Sequence, residues 1–275
     1  MADRFSGTSA AITGGADGIG LALAKALVKR GARVALLDIR ASAAEASALQ
    51  LREAGHDAIA IECDVADASS VDAAAAEVKQ AFGGLNQLWA NAGVGVQGNL
   101  TKATQQDLDW VYAVNVAGMA NTVRSFVPLI AAADGLRHIG FTASSITLGR
   151  VGPGPFSLYA ASKWAALGMA EAITGEVQQL GIGTTIFSPG LLNTRIWDAA
   201  RARPDRFGGV ARQPEEVGAL WRDTGMSADW AAEAAVDAVE RGEPYCSPVD
   251  QHSLDDFEAR VAAVRKGFVI LGTDD

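Results

Sequence analysis

The sequence predicts a doubly wound α/β fold, a parallel sheet with helices on both faces, and three observations predict it. Short apolar runs of strand character alternate with longer segments of helical periodicity. The connections between them are short, which is the rhythm of βαβ units. The first junction, "AITGGADGIG" (11–20), carries four glycines in ten positions between an apolar run and a helix. Such a junction must turn tightly or let another molecule approach its backbone.

Taken in order, strands are expected at 8–13, 33–38, 58–63, 86–90, 137–143 and 183–188. Helices are expected between them at 18–30, 42–54, 67–82, 104–132 and 157–180. Right-handed crossovers then place a ligand crevice at the carboxyl ends of the strands. Alanine-rich stretches such as "ASAAEASAL" and "VDAAAAEV" read as strong helix formers. The rhythm breaks at 190–226, rich in Gly, Arg, Pro and Trp, which reads as a long irregular insertion able to serve as a lid over substrate. A helix at 227–241, a short strand "PYCSPV" (244–249) and a final amphipathic helix at 253–267 follow. No repeat and no linker divides the chain, so one domain over 1–275 is expected, with a substrate loop near 190–226 and a variant tail at 242–275.

Composition narrows the function. A net charge of −9 without a basic cluster argues against nucleic acid or an anionic membrane surface as partner. No apolar run reaches the length of a membrane span, and "MADRFSGTSA" has no signal-peptide core. Cys63 and Cys246 are the two cysteines and share no metal-ligand spacing; both are expected as small hydrophobes in a reduced, cytoplasmic protein. His56, His138 and His252 are scattered, so no metal site is expected.

The spacing Gly14-x-x-x-Gly18-x-Gly20, between a strand and a helix start, suits a phosphate, because free N–H groups and the helix dipole both attract an anion there. Asp38 ends the second strand, where a carboxylate accepts hydrogen bonds from ribose hydroxyls and repels a 2′-phosphate. Asp17 adds to that repulsion and no Lys or Arg occupies the loop, so the expected cofactor is NAD rather than NADP. Tyr159 and Lys163 stand four apart on a helix, hence on one face. An ammonium there, with the positive nicotinamide ring, would lower the phenol pKa and suit Tyr159 to acid–base work.

These motifs together resemble the short-chain dehydrogenases/reductases. The family's TGxxxGxG is similar to "TGGADGIG" (13–20), its acidic pair to Asp64-Val65, and its NNAG to "ANAG" (90–93). Its lone helix Asn is similar to Asn115, its Ser-Tyr-Lys set to "SSITLG" (144–149) with "YAASK" (159–163), and its PGxVxT to "PGLLNT" (189–194). The resemblance implies a Rossmann fold and hydride transfer to NAD. It also implies a cofactor site of Gly14, Asp17, Gly18, Ile19, Gly20, Asp38, Asp64, Val65, Asn91, Gly93, Tyr159, Lys163, Pro189, Gly190, Leu192 and Thr194. Tyr159 is then the acid/base, with Lys163 beside it, Ser145 preferred over Ser144 as the serine that orients substrate, and Asn115 holding a water. Ala90 departs from the first Asn of NNAG, with a structural consequence expected. The same resemblance leads to a homodimer or homotetramer paired through the helices at 104–132 and 157–180. A dehydratase or epimerase that uses NAD internally, and a dinucleotide-binding regulator, are the alternatives; the intact Tyr-Lys pair and the single-domain length favour the dehydrogenase.

The expected pocket segments, "GVGVQ" (93–97), "SITLG" (145–149), "GPFS" (154–157) and "LLNTRIW" (191–197), carry few charges. They supply Val94, Val96, Ile146, Leu148, Phe156, Leu191, Ile196 and Trp197, with Val96, Phe156 and Trp197 beside Ser145 as substrate contacts. A large, mostly apolar secondary alcohol or ketone is the expected ligand. Arg150 and Arg195 are the two cations able to meet a substrate carboxylate. Trp89 and Trp164 are expected in the core, while Trp221 and Trp230 flank the insertion.

Overall fold

A computed structural model describes residues 4–96, 98–149, 156–211 and 215–268. Seven strands run β1 Ser9–Thr13, β2 Arg33–Asp38, β3 Ala58–Glu62, β4 Gln87–Ala90, β5 His138–Thr142, β6 Gly183–Phe187 and β7 Tyr245–Cys246. They form one sheet in the order β3-β2-β1-β4-β5-β6-β7, every pairing parallel. The helices are α1 Gly18–Lys29, α2 Ala41–Glu53, α3 Ala68–Phe82, α4 Gln105–Tyr112, α5 Gly118–Ala131, α6 Ser157–Gln178, α7 Glu215–Thr224, α8 Ala228–Arg241 and α9 Gln251–Lys266.

The two-residue alternation of the strands splits the core between the faces. Ala11, Leu37, Leu88 and Ile139 pack against α3, α5 and α6 through Val78, Phe126 and Ala166. Their neighbours Ile12, Leu36 and Trp89 face α1, α2 and α8 through Leu27, Leu51 and Val236. The chain order reverses between β1 and β4, and a crevice opens there at the carboxyl ends of the strands.

Four local expectations change. The segment expected as one helix over 104–132 is α4 and α5 joined by a π-helical turn at Ala113–Ala117; such a bulge shifts the helical register and turns Asn115 inward. The insertion is not irregular: it holds 3-10 turns at Ile196–Ala202 and Asp205–Phe207 and then α7. Its Gly and Pro residues hid a short amphipathic helix. The last strand is only Tyr245–Cys246, paired with β6 at the sheet edge. The final helix starts at Gln251 because Asp250 caps it, accepting from the Ser253 N–H at 2.8 Å.

Trp89 is fully buried, but Trp164 is only partly so and lies under the Arg260 guanidinium at 4.2 Å. Trp230 is exposed on α8, away from the crevice. Cys63 is buried, with its thiol pushed up to about 12 mainly by desolvation. Cys246 is half-buried, and burial pushes it up to about 11.

Candidate active site

The crevice encloses about 500 Å³ and runs from Asp38 to Trp221. At one end the glycine loop turns from β1 into α1. Gly14 has φ +65, and a Cβ on Gly20 would collide with the Gly14 carbonyl oxygen, so the loop closes only with hydrogen in that place. Asp17 stands at the N-cap of α1 yet gives no side-chain cap. The first N–H groups of the helix are left for an anion. Thr194 lies against Gly18, with 3.5 Å between its side chain and a Cβ there.

Asp38 is buried at the end of β2 and accepts from the Ala16 N–H (3.1 Å) and the Arg40 N–H (3.0 Å). It thereby ties the glycine loop to its own strand end. Asn91 braces the next strands: its amide donates to the Thr13 carbonyl (2.9 Å) and its oxygen accepts from Thr142 (3.1 Å). That load falls on one Asn because Ala90, where the family carries another, is a small buried residue inside β4. Asp64 accepts from the Ala66 N–H at 2.9 Å, and Val65 is buried beside it. Gly93, Pro189, Gly190 and Leu192 complete the same lining with Ile19. The uncapped helix end, the glycine cradle and the carboxylate at the β2 terminus fit a dinucleotide.

One electrostatic expectation is corrected here. Asp17 is not a bare charge, since it pairs with Arg40 (3.1 Å) and with Arg201 (2.7 Å) from the insertion. Arg40 lies two residues past Asp38, but Arg201 is distant in sequence and nothing local announces it.

Toward the crevice centre, α6 presents Tyr159 and Lys163 on one face. The buried Lys163 donates from Nζ to the Thr142 carbonyl at 2.9 Å and lies 6.0 Å from the Tyr159 ring centre. Desolvation pushes its ammonium down to about 8. The Tyr159 phenol is held above the ordinary tyrosine range by burial, against a hydrogen bond with Ser144 that lowers it. The lowered phenol expected beside an ammonium is therefore not the state of the protein alone, because desolvation is the largest effect on it. Both serines line the crevice: Ser144 acts to lower the phenol pKa, while Ser145 donates its N–H to the Pro189 carbonyl (2.9 Å) and begins a 3-10 turn. Spacing to Tyr159 could not separate two adjacent serines.

Asn115 stays behind the wall of the crevice. Its oxygen accepts from the Val94 N–H (2.8 Å) and its amide donates to the Val94 carbonyl (3.0 Å) and to Ser162 (2.9 Å). The side chain clamps the segment 93–95, using three of its four hydrogen-bonding positions.

The far end is aromatic. Val94, Val96, Ile146, Phe156, Leu191, Ile196 and Trp197 line it as expected, and Trp110, Phe207 and Trp221 join them. Phe156 meets Trp221 edge to face at 6.4 Å. Leu148 does not reach the lining. Gln97 and Arg150 lie outside the described residues, as do 154 and 155 of the expected "GPFS" wall. Arg195 does reach the crevice, but its guanidinium pairs with the buried Asp198 at 2.5 Å. Ser253 and Asp256 of α9 also reach the mouth, and no motif marked them. Among the described residues no cluster of His, Cys, Asp and Glu could hold a metal ion.

Arginines from the insertion close the lid. Arg201 meets Asp17, Arg203 meets Asp107 at 2.7 Å while stacking 4.9 Å over Trp110, and Arg206 meets Asp64 at 2.5 Å. The insertion is thus fastened across the crevice by charge pairs that link it to the α1 loop, α4 and the turn after β3.

A seven-stranded parallel sheet with a glycine loop at its switch point and a Tyr-Lys pair facing it defines a class of dinucleotide-dependent oxidoreductase. The short chain dehydrogenase family model matches residues 8–205, and the chain belongs to that family. It is 33% identical over 249 residues to a Cα-dehydrogenase of Sphingobium sp. strain SYK-6, covering 89% of this chain and 81% of that one. It is 32% identical over 201 residues to a sorbitol dehydrogenase of Cereibacter sphaeroides, covering 73% and 76%. Among solved structures, a Burkholderia phymatum short chain dehydrogenase/reductase in complex with NAD superposes with a TM-score of 0.87 at 28% identity, over 98% of this chain and 99% of that one.

Proposed function

We propose that the chain is an NAD-dependent dehydrogenase of a fairly large, apolar secondary alcohol, or reductase of the matching ketone. The observation that carries this reading is the junction, in one crevice, of Tyr159, Lys163 and Ser144 with an aromatic wall of Trp110, Phe156, Trp197 and Trp221. Apolar walls around a few convergent polar groups suit an apolar ligand with one reacting oxygen. The similarity to a Cα-dehydrogenase supports it further, whereas the polyol dehydrogenase is the weaker guide because few polar groups line the far end.

The glycine loop and Asp38 would hold the dinucleotide, and Thr194 with Leu192 would hold its nicotinamide end. NAD, when bound, would supply the hydride acceptor for the alcohol carbon and a positive ring in the crevice. Ser144 holds the alcohol oxygen by a hydrogen bond and so sets the carbinol carbon in place. Tyr159 takes the hydroxyl proton as base in oxidation and returns it as acid in reduction. Lys163 sits close enough for its charge to favour the phenolate, and Asn115 holds the segment 93–95 in place. NAD is preferred over NADP because Asp38 faces the ribose end, a preference resting on that carboxylate alone now that Asp17 is paired with Arg40 and Arg201. A single domain, a cytoplasmic location and assembly through α5 and α6 complete the proposal, on family resemblance and the two unpaired thiols.

The test is steady-state formation of reduced nicotinamide by the purified protein with NAD and a panel of alcohols. Aryl and alicyclic secondary alcohols are expected to give higher kcat/KM than sorbitol, small hydroxy acids or free sugars. A free sugar or hydroxy acid as the best substrate overturns the reading and directs attention to Arg195.

A further inference from the structure

Among the described residues four carboxylates line the crevice, and three of them are taken up by the protein itself. Asp17 pairs with Arg40 and Arg201. Asp38 accepts from the Ala16 and Arg40 N–H groups, and Asp64 is held by the Ala66 N–H and by Arg206. The fourth, Asp256 on α9, is different. Among the described residues its carboxylate meets the His252 ring alone, at 3.7 Å, beyond hydrogen-bond reach. The arginines of this end have other partners, Arg195 in Asp198 and Arg260 in the Trp164 ring. Ser253 lies three residues earlier on α9, hence on the same helix face, and adds a hydroxyl to the same mouth.

The carboxylate is also held in place. Asp256 packs on Gly149 so closely that a Cβ there would come within 2.9 Å of the Asp256 Cβ. Gly149 follows the 3-10 turn Ser145–Thr147, so the base of Asp256 rests on the backbone that leads away from the two serines. The four residues from Ser145 to Gly149 span at most about 14 Å, and nearer about 8 Å at the 3-10 rise of about 2 Å per residue. The place proposed for the reacting oxygen and the Asp256 carboxylate therefore stand about one aryl ring with short arms apart. The wall they share is apolar, with Ile146, Phe156 and Trp221 in it.

We propose that Asp256 is a specificity residue, which reads a hydrogen-bond donor, an ammonium before a hydroxyl, at the end of the substrate remote from its carbinol. The inference rests on the reading of an apolar secondary alcohol and adds a polar far end to it. A carboxylate without an internal partner favours a ligand group that donates to it, and a charged donor most of all. The Asp256 side chain is 49% exposed, so an ammonium docking there keeps part of its own water and the cost of desolvation stays low. The Ser253 hydroxyl offers the same donor a second acceptor. A ligand carboxylate is repelled at this mouth.

The test is calorimetric titration of the full-length protein at neutral pH, with and without NADH, against 1-arylethanols that differ only at the para position: methyl, hydroxyl, aminomethyl and carboxyl. NADH accepts no hydride, so binding is read without turnover. The aminomethyl compound is expected to bind about tenfold tighter than the methyl compound, the worth of one charged hydrogen bond at a half-exposed group. The hydroxyl compound should fall between them and the carboxyl compound should bind weakest. Asp256→Asn is expected to bring the aminomethyl-to-methyl ratio to within about twofold, and Asp256→Glu to keep most of it. Equal or tighter binding of the methyl compound by the wild type overturns the proposal, and this series stands by itself if a variant fails to fold. A ratio that Asp256→Asn leaves unchanged overturns it too. Turnover of the same compounds with NAD is scored separately. Turnover without preference removes Asp256 as the reader and leaves the alcohol reading intact, whereas preference without turnover does the reverse. Binding of none of the compounds overturns both.

Discussion

The glycine-loop end of the crevice and the insertion that covers it are built by different means. The loop, Asp38, Asn91 and the β-strand ends are held by backbone hydrogen bonds of the sheet and by short side-chain bonds between neighbouring strands. The insertion instead depends on arginine pairs: Arg201 to Asp17, Arg203 to Asp107, Arg206 to Asp64. A sheet-borne site is rigid before any ligand arrives, and a cover held by partly exposed charge pairs can open at small cost. The contrast suits an oxidoreductase, which must align a reacting carbon closely and still release its product.

The largest expected break lies on the rigid side. Tyr159→Phe should lower kcat by about three to four orders of magnitude, the span of general acid–base contributions, with dinucleotide affinity measured calorimetrically left within a few-fold. Near-normal turnover would remove Tyr159 from the chemistry.

The sheet has its own acid limit, separate from the lid. His138 is buried in β5, bonded to Thr185 at 3.1 Å, and desolvation pushes its pKa down to about 4 from an ordinary 6.5. The unfolded chain thus binds the proton more readily between those values, so stability is full above pH 6.5 and falls as pH drops toward 4. The loss approaches about 3 kcal/mol at about 1.4 kcal/mol per pK unit. Urea midpoints measured across this window should fall for the wild type and fall less steeply for His138→Gln.

Cofactor choice sharpens the comparison where the two regions meet. Asp38→Ala removes the strand-end carboxylate while Arg40 and Arg201 remain, and guanidinium groups bind phosphate well. The ratio of kcat/KM for NAD to that for NADP should fall about hundredfold, one carboxylate-to-phosphate repulsion being worth about 3 kcal/mol at close range. An unchanged ratio would place the preference elsewhere.

Next in size is the serine pair. Ser144→Ala should reduce kcat about ten- to hundredfold, the loss of one hydrogen bond to a reacting oxygen. Ser145→Ala should cost less, and the reverse order would restore Ser145 as the orienting residue.

The smallest effect belongs to the lid. Arg203→Ala with Arg206→Ala should raise KM for the dinucleotide a few-fold and speed limited proteolysis within 190–226. Global stability should fall by about 1 to 3 kcal/mol, because the Arg203–Asp107 pair is largely buried whereas Arg206 is half exposed. A collapse of the whole fold in that variant would show the insertion to be structural rather than a cover.

Most of the sheet and the helices around it could be read from residue order, because the signals are local. Strand runs, helical periodicity and the glycine turn each occupy a few consecutive residues, and the parallel connection rule assembles them. Tyr159 and Lys163 share a face for the same reason, being one helical turn apart. Asp38 follows from its place at a strand end. Local signals stopped at the π-helical turn, where one extra residue turns Asn115 onto Val94, and at α7, whose flanking Gly and Pro read as loop.

Sequence by itself therefore determined the α/β class, the glycine cradle, the carboxylate at β2 and the Tyr-Lys pair. Tertiary structure alone decided that Ser144 and Ser145 both line the crevice, that burial raises the Tyr159 phenol, and that Arg201 crosses from the insertion to pair with Asp17. It also decided that α9 turns its apolar stripe outward. Periodicity reports which side of an element is apolar, but the direction that side faces, and the solvent or charge a group meets there, depend on segments distant in sequence that only folding brings together.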